Sequence, residues 1–155
     1  MDNYLDDISE VSNCSNVKDF LNCIPSEQCN LLCMHINIRS IIKNFSALEQ
    51  MLKTSKKCID VVILTESNIS ENNSFLYQLC GYQMYTELRN SRKGGGIILY
   101  VNNKHKCSIT NVKTKFFESI FCTITTQSNY FANLCAVYRP PSYNKISFIE
   151  ELCGV

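Results

Sequence analysis

An amide and a carboxylate stand where two apolar runs of the chain end. Asn37 closes the run at residues 30–37, and Glu66 directly follows the run at residues 59–65. Short apolar runs of this kind predict buried strands, and ligands bind where the carboxyl ends of neighbouring parallel strands meet. Mg²⁺ prefers oxygen ligands and often takes only one or two carboxylates. The two residues are therefore candidates for half of a cation site, although spacing alone favours the other interpretation, in which Asn37 caps the turn into the helix and Glu66 is simply exposed.

A second feature is a basic stretch in the middle of the chain, residues 89–106, which we call the basic edge. It begins with Arg89, Arg92 and Lys93 and continues through a glycine run at residues 94–96. Such a stretch can neutralise phosphates and bind nucleic acid without regard to sequence. A solvated basic surface is an equally good interpretation. The glycines do not form a phosphate-binding loop, because no Lys-Ser/Thr follows them.

A tyrosine ends the last apolar segment. Tyr138 precedes Arg139, Pro140 and Pro141, and its hydroxyl could reach a phosphate oxygen while the prolines fix the departing chain. Glu118 opens the preceding segment, and the local pattern allows it simply to face solvent.

The elements that must position these residues follow from hydrophobic periodicity. Strands at residues 30–37 and 59–65 flank a helix at residues 41–52, which favours a parallel pair with a right-handed crossover. Short β-branched and aromatic segments follow, with hairpin connections expected at residues 102–103 and 128–129 and a final helix at 146–152. These segments are residues 82–88, 96–101, 106–112, 119–126 and 130–138. The pattern predicts an α/β fold of two sheets packed face to face with helices outside.

Composition and charge bound the class of protein and its domain organisation. The 155 residues are 45% hydrophobic and 19% charged, with a net charge of +1, which suits one folded domain and excludes collagen-like or low-complexity classes. Charge is uneven, because residues 1–30 hold six acids and one base. We therefore expect an acidic leader at residues 1–28, poorly ordered or with short helices, before a folded part at residues 29–155.

Ten cysteines are unusual for this length. No Cys-x-x-Cys pair occurs, and the nearest approach to a zinc motif is Cys29, Cys33 and His35, which has no second pair to complete a tetrahedral site, so the spacing argues against zinc binding. No signal segment or membrane-length apolar run is visible. We expect reduced, mostly buried thiols in an intracellular protein of the cytoplasm or nucleus, without a membrane partner.

The order of the motifs carries more information than any one of them. The chain resembles the endonuclease domain of non-LTR (LINE-type) retrotransposons, in the endonuclease/exonuclease/phosphatase superfamily with apurinic/apyrimidinic endonucleases. The resemblance covers about residues 30–152, and the motifs that carry it are, in order, His35-Ile36-Asn37-Ile38-Arg39-Ser40, Leu64-Thr65-Glu66-Ser67, Gly81-Tyr82, Arg89, Arg92-Lys93-Gly94-Gly95-Gly96, Tyr100-Val101, Glu118-Ser119 and Val137-Tyr138-Arg139-Pro140-Pro141.

The resemblance implies a four-layer α/β sandwich of two mixed sheets with outer helices, which nicks target DNA with Mg²⁺ (or Mn²⁺) to prime reverse transcription. By match to the family motifs, Glu66 is the metal ligand, Asn37 supports metal and phosphate, and Tyr138 contacts the scissile phosphate. Arg89, Arg92 and Lys93 lie in the family's basic, DNA-binding stretch.

The chain also departs from the family, which has an Asp-x-Asn motif after the tyrosine and a final Asp-His pair. The last aspartate here is Asp60 and the last histidine is His105. We therefore expect a domain that is incomplete at its C-terminus and has little or no activity alone, whether it is a gene-model fragment, a decayed element or one exon. The runner-up hypothesis is a non-catalytic nucleic-acid-binding or interaction remnant that uses the basic edge. A phospholipid or inositol phosphate substrate fits the motifs less well.

Overall fold

A computed structural model describes residues 31–88 and 95–154. Within them lie two α-helices, α1 (Ile41–Thr54) and α2 (Lys145–Cys153), and a short 3₁₀ helix (Ser74–Tyr77). The strands, in chain order, are β1 (Cys33–Asn37), β2 (Val61–Thr65), β3 (Tyr82–Glu87), β4 (Ile97–Asn102), β5 (Lys106–Thr110), β6 (Glu118–Thr125) and β7 (Phe131–Tyr138). The predicted α/β class and each predicted element in this range are confirmed, with shifts of up to three residues at the ends. The expected leader at residues 1–28 lies outside the described residues.

The strands form two sheets. The first has the order β1-β2-β4-β3 and is mixed, because β1 and β2 run parallel while the other pairs are antiparallel. The second has the order β5-β6-β7 and is antiparallel throughout its described strands. The parallel pair and the connection at residues 128–129 match the sequence prediction. The prediction of a hairpin at residues 102–103 was wrong, because that turn carries the chain from β4 in the first sheet to β5 in the second.

Alternation along the strands builds two cores on the two faces of the first sheet. Val62 and Leu64 of β2 pack on one side with Ile41 and Leu48 of α1. The opposite face meets the second sheet, and the residues buried there are Val61, Ile97, Leu99, Val101, Ile120, Cys122, Ile124 and Ala136. Because successive strand residues point to opposite faces, this alternation fixes the order of α1, first sheet and second sheet.

Helix α1 begins at Ile41 without a side-chain cap from Ser40. Its first amides are bonded instead by the chain that leaves β2: the Ser40 N–H donates to the Glu66 carbonyl at 2.8 Å, and the Ile41 N–H donates to the Ser67 carbonyl at 2.9 Å. Orphan amides at a helix start need such acceptors. The start of α1 is therefore tied to the loop that carries Glu66.

Helix α2 is capped by the Asn144 side chain, which accepts from the amides of Ile146 and Ser147. The Glu151 carboxylate accepts from the Lys115 and Phe116 amides, so α2 is attached to the segment before β6.

No helix in the described part of the chain has the length and apolar character needed to cross a membrane.

Candidate functional site

The parallel pair brings Asn37 and Glu66 to one edge of the first sheet. Asn37 is in register with Thr65, and Glu66 is the next residue after Thr65. Asn37 is exposed, and its Oδ1 accepts from the Arg39 N–H at 3.3 Å. The amide and the carboxylate thus stand at the carboxyl ends of adjacent strands, as the spacing predicted.

The backbone at this edge is strained. Arg39, Ser40, Glu66 and Asn68 all have positive φ, with 55° at Glu66, a region that residues with a Cβ occupy sparingly. Strained residues of this kind persist only where the surrounding hydrogen bonds hold them, and they concentrate at functional sites. Four such residues on two adjoining loops mark this edge as one held in an unusual conformation.

The glycines before β4 hold the Glu66 loop from the other side. The amides of Ser67 and Asn68 donate to the carbonyls of Gly96 and Gly95 at 3.1 and 3.0 Å. Both glycines have φ near +85°, and a Cβ on Gly96 would lie 2.6 Å from Ser67 Oγ. Any other residue type there would force Ser67 Oγ to move and would have to adopt an unfavourable positive φ. This gives two of the three consecutive glycines a structural reason.

Tyr138 reaches this edge from the second sheet. It is the last residue of β7, and its hydroxyl donates to Glu66 Oε1 at 3.0 Å. Both side chains are half-buried. Two of the residues marked by the family motifs, far apart in the chain and in different sheets, therefore meet at one point.

Glu118 is a site neighbour to which the local sequence pattern assigned no role. The pattern allowed it simply to face solvent, but it is half-buried, and its Oε2 accepts from the Gly96 N–H at 2.6 Å. Its position opposite Tyr138 in the register of β6 and β7 explains this. The same carboxylate would lie 2.5 Å from a Cβ on Gly95. The Glu118-Ser119 motif in the family order was the available signal, but nothing local in the sequence pairs residues 96 and 118.

The basic edge is divided by β4. Arg89, Arg92 and Lys93 lie outside the described residues, between the end of β3 and the start of β4. Lys104 and His105 follow the other end of β4 and contact the buried carboxylate of Asp60, with Lys104 Nζ at 2.5 Å and His105 Nε2 at 2.9 Å from Oδ1.

The pKa values of Asp60 and Lys104 in this second cluster are both shifted. Burial alone would raise the pKa of Asp60, but hydrogen bonds from the Leu32 amide, Lys104 and His105 outweigh burial, and the pKa of Asp60 is lowered. The Asp60 carboxylate in turn raises the pKa of Lys104. Because Asp60 precedes β2 while Glu66 follows it, the cluster lies at the opposite end of the strand from Glu66 and ties the amino ends of β1 and β2 to the β4–β5 turn.

The described cysteines are all free thiols. The expectation that they are mostly buried was wrong, because only Cys122 among them is buried and most of the others lie on the surface. Cys33 and His35 are exposed on β1, and Cys29 lies outside the described residues. Across residues 31–88 and 95–154, no three His, Cys, Asp or Glu side chains come together as a metal cluster. Burial raises the pKa of Cys122 to about 12, so this thiol stays protonated at neutral pH.

The arrangement offers one carboxylate, one amide and one phenol hydroxyl around an open sheet edge. These are hard oxygen donors, and a single protein carboxylate is sufficient for Mg²⁺ when waters and phosphate oxygens fill its other positions. The donor set therefore fits a weakly held Mg²⁺ that shares its coordination with a phosphate, rather than a closed structural metal site. No protein-family model matches the chain, and no curated protein matches it in sequence.

Proposed function

We propose that the chain carries the metal- and phosphate-binding part of a Mg²⁺-dependent DNA endonuclease domain of the non-LTR retrotransposon type. The observation that carries the proposal is the contact between Tyr138 and Glu66 at 3.0 Å. The family motifs mark both residues as members of one site, and nothing local in the sequence requires them to touch. The strained backbone of Glu66 supports the same location.

In this proposal Glu66 holds the cation and Asn37, on the adjacent strand end, supports the cation and the phosphate. When bound, Mg²⁺ supplies charge that offsets the phosphoryl oxygens during attack by water. Tyr138 keeps the Glu66 carboxylate oriented through its hydroxyl and lies where a phosphate oxygen can take that hydrogen bond. Arg89, Arg92 and Lys93 supply salt-dependent affinity for the DNA backbone.

The proposal predicts a low rate of DNA cleavage by this chain alone. No aspartate follows Asp60 and no histidine follows His105, so the chain's own residues offer neither the family's Asp-x-Asn element nor its Asp-His pair. General acid–base catalysis is typically worth about 10²- to 10⁴-fold. We expect this chain to bind DNA at the site but to nick it poorly by itself.

The family's four-layer sandwich is part of the proposal. Helix α1, the first sheet and the second sheet supply three successive layers, and the fourth requires helices on the outer face of the second sheet. An intracellular location is also proposed, because free thiols such as those described here persist in reducing compartments.

The test is the Mg²⁺ dependence of DNA binding. Anisotropy of a labelled duplex is measured with Mg²⁺ and with EDTA at equal ionic strength, for the parent chain, Glu66→Gln and Glu49→Gln. Glu49 is a matched control because it lies on α1, where it pairs with Lys53.

We expect Mg²⁺ to tighten binding about fivefold, or about 1 kcal/mol, in the parent and in Glu49→Gln but not in Glu66→Gln. Equal tightening in all three proteins would show that Glu66 does not hold the cation.

A further inference from the structure

Glu118 lies next to the contact between Tyr138 and Glu66. It is directly opposite Tyr138 in the register of β6 and β7, and side chains directly opposite each other on antiparallel strands share a face. The Tyr138 hydroxyl donates to Glu66 Oε1 at 3.0 Å across the gap between the two sheets. The Glu118 side chain therefore meets the first sheet beside the residue that we assign to the cation.

The Glu118 carboxylate binds a backbone amide of the first sheet. Its Oε2 accepts from the Gly96 N–H at 2.6 Å, and hydrogen bonds to an ionised acceptor are stronger than neutral ones. Gly96 is buried and directly precedes β4. A buried amide without an acceptor is costly, so Glu118 satisfies an amide that lies just before the strand begins.

The same glycine holds the loop that carries Glu66. The Ser67 N–H donates to the Gly96 carbonyl at 3.1 Å, so Gly96 is bonded both to Glu118 and to the residue that follows Glu66. Glu66 itself has a φ of 55°, and a conformation of this kind persists only where the surrounding structure holds it. An unbroken path of contacts therefore joins Glu118 to the backbone of Glu66.

Close packing places both oxygens of Glu118 against Gly95 and Gly96, which we call the glycine pair. Oε2 binds the Gly96 N–H, and a Cβ on Gly95 would lie 2.5 Å from Oε1. No side chain fits between the glycine pair and the carboxylate at this distance. The backbone of the glycine pair is therefore the immediate partner of Glu118.

We propose that Glu118 is a positioning residue for the cation site, an inference that rests on the proposed function. By binding the Gly96 amide, Glu118 fixes the glycine pair, and the glycine pair holds Glu66 where its carboxylate can act with Asn37 and Tyr138. Without that bond the loop has other conformations, and the affinity for the cation falls with the population of the competent one. The role requires an acceptor at this position and does not require a charge.

Three substitutions separate this role from a direct electrostatic one. Glu118→Gln keeps an oxygen acceptor at the same reach and removes the charge. Glu118→Asp keeps the charge but withdraws it from the Gly96 N–H by one methylene, and Glu118→Ala removes both. A residue that positions the loop through a hydrogen bond tolerates glutamine better than aspartate. A residue that attracts or binds the cation through its charge gives the reverse order.

The first measurement is a titration of the full chain with Mn²⁺, which can replace Mg²⁺ at oxygen sites, followed by the broadening of the amide signals of residues 66–68 in nuclear magnetic resonance spectra. We expect Glu118→Gln to require a Mn²⁺ concentration within about twofold of the parent, and Glu118→Asp and Glu118→Ala at least about fivefold more. Gly81→Ala controls for lost stability, because it imposes a positive φ on alanine where a Cβ meets nothing within 4 Å. It should titrate like the parent.

Amide hydrogen exchange without added cation tests the positioning itself. The Ser67 and Asn68 amides donate to the carbonyls of the glycine pair. They should exchange at least about fivefold faster in Glu118→Ala than in the parent, and at nearly the parent rate in Glu118→Gln. Unchanged exchange in Glu118→Ala overturns the proposal, whatever the cation does.

The Mn²⁺ titration separates failure of this inference from failure of the proposed function. A parent that binds no Mn²⁺ at residues 66–68 refutes the proposed function and with it the role of Glu118. Parent-like binding in Glu118→Ala, or tighter binding in Glu118→Asp than in Glu118→Gln, refutes the positioning role alone. Near-ultraviolet circular dichroism checks that each variant is folded, and the comparison of glutamine with aspartate decides the matter if the alanine variant does not fold.

Discussion

Gly96→Ala should destabilise the protein through a clash with the loop that carries Glu66. Gly96 has a φ of +84°, and a Cβ there would stand 2.6 Å from Ser67 Oγ, which belongs to a fully buried residue. The positive φ costs an alanine about 1–2 kcal/mol. Forcing an extra methyl group into a packed site adds about 1–3 kcal/mol.

Gly81 provides a matched control. It has the same φ of +84°, but a Cβ on it would meet nothing within 4 Å. The gain from restricting the unfolded chain is the same at both positions, so the difference between the two variants isolates the clash. We expect Gly81→Ala to cost about 1–2 kcal/mol and Gly96→Ala about 2–5 kcal/mol.

Urea denaturation followed by circular dichroism measures both values. A third variant, Ser67→Ala, removes the hydroxyl that the new methyl group would strike. In that background the cost of Gly96→Ala should fall toward the Gly81→Ala value, giving a coupling of about 1–2 kcal/mol. If Gly96→Ala is no worse than Gly81→Ala, or if Ser67→Ala brings no relief, the glycine pair does not hold the Glu66 loop as described.

Two further outcomes are expected. Asp60→Asn should destabilise the protein at neutral pH by about 1.5–3 kcal/mol, because the buried Asp60 carboxylate loses its charge-assisted hydrogen bond from the exposed Lys104 ammonium. The pKa of Asp60 in the folded protein lies below its ordinary value of 3.8. The contribution of Asp60 to the free energy of unfolding is therefore complete above that pH and is lost as the pH falls below it. Urea denaturation at a series of pH values should show this acid-dependent loss in the parent and a smaller loss in Asp60→Asn. The second outcome concerns Arg89, Arg92 and Lys93, the three basic residues before β4. Replacing all three with alanine should reduce the salt dependence of duplex binding by the equivalent of about three phosphate contacts. An unchanged salt dependence would show that this stretch does not contact the DNA.

The sequence was most informative where local patterns repeat. Apolar runs and helical spacing predicted the strands, α1 and the parallel β1–β2 pair, because burial of one face imposes a period on the chain. The same pair places Asn37 beside the position of Glu66. Motif order assigned Glu66 and Tyr138 to one site but did not predict the hydrogen bond between them, since each residue alone resembles an ordinary strand end.

The features that sequence reasoning missed depend on how strands distant in the chain pair and pack. The turn at residues 102–103 has ordinary hairpin residues, but the chain changes sheets there, and no turn residue records that choice. The placement of Glu118 against Gly96 depends on the packing of the second sheet over the first. The Asp60 cluster depends on the pairing of β2 with β1 and β4 within the first sheet. Both involve pairs more than twenty residues apart, which a single sequence does not couple.

The most direct test of the central claim is where a divalent cation binds. Mn²⁺ can replace Mg²⁺ at oxygen sites and broadens the signals of nearby amides in a nuclear magnetic resonance spectrum. Sub-stoichiometric Mn²⁺ should broaden the amides of residues 37–40 and 66–68 first in the parent chain and in Glu49→Gln, and should leave them sharp in Glu66→Gln. Broadening centred on Asp60, or equal broadening in Glu66→Gln, would contradict the assignment of Glu66 as the cation ligand.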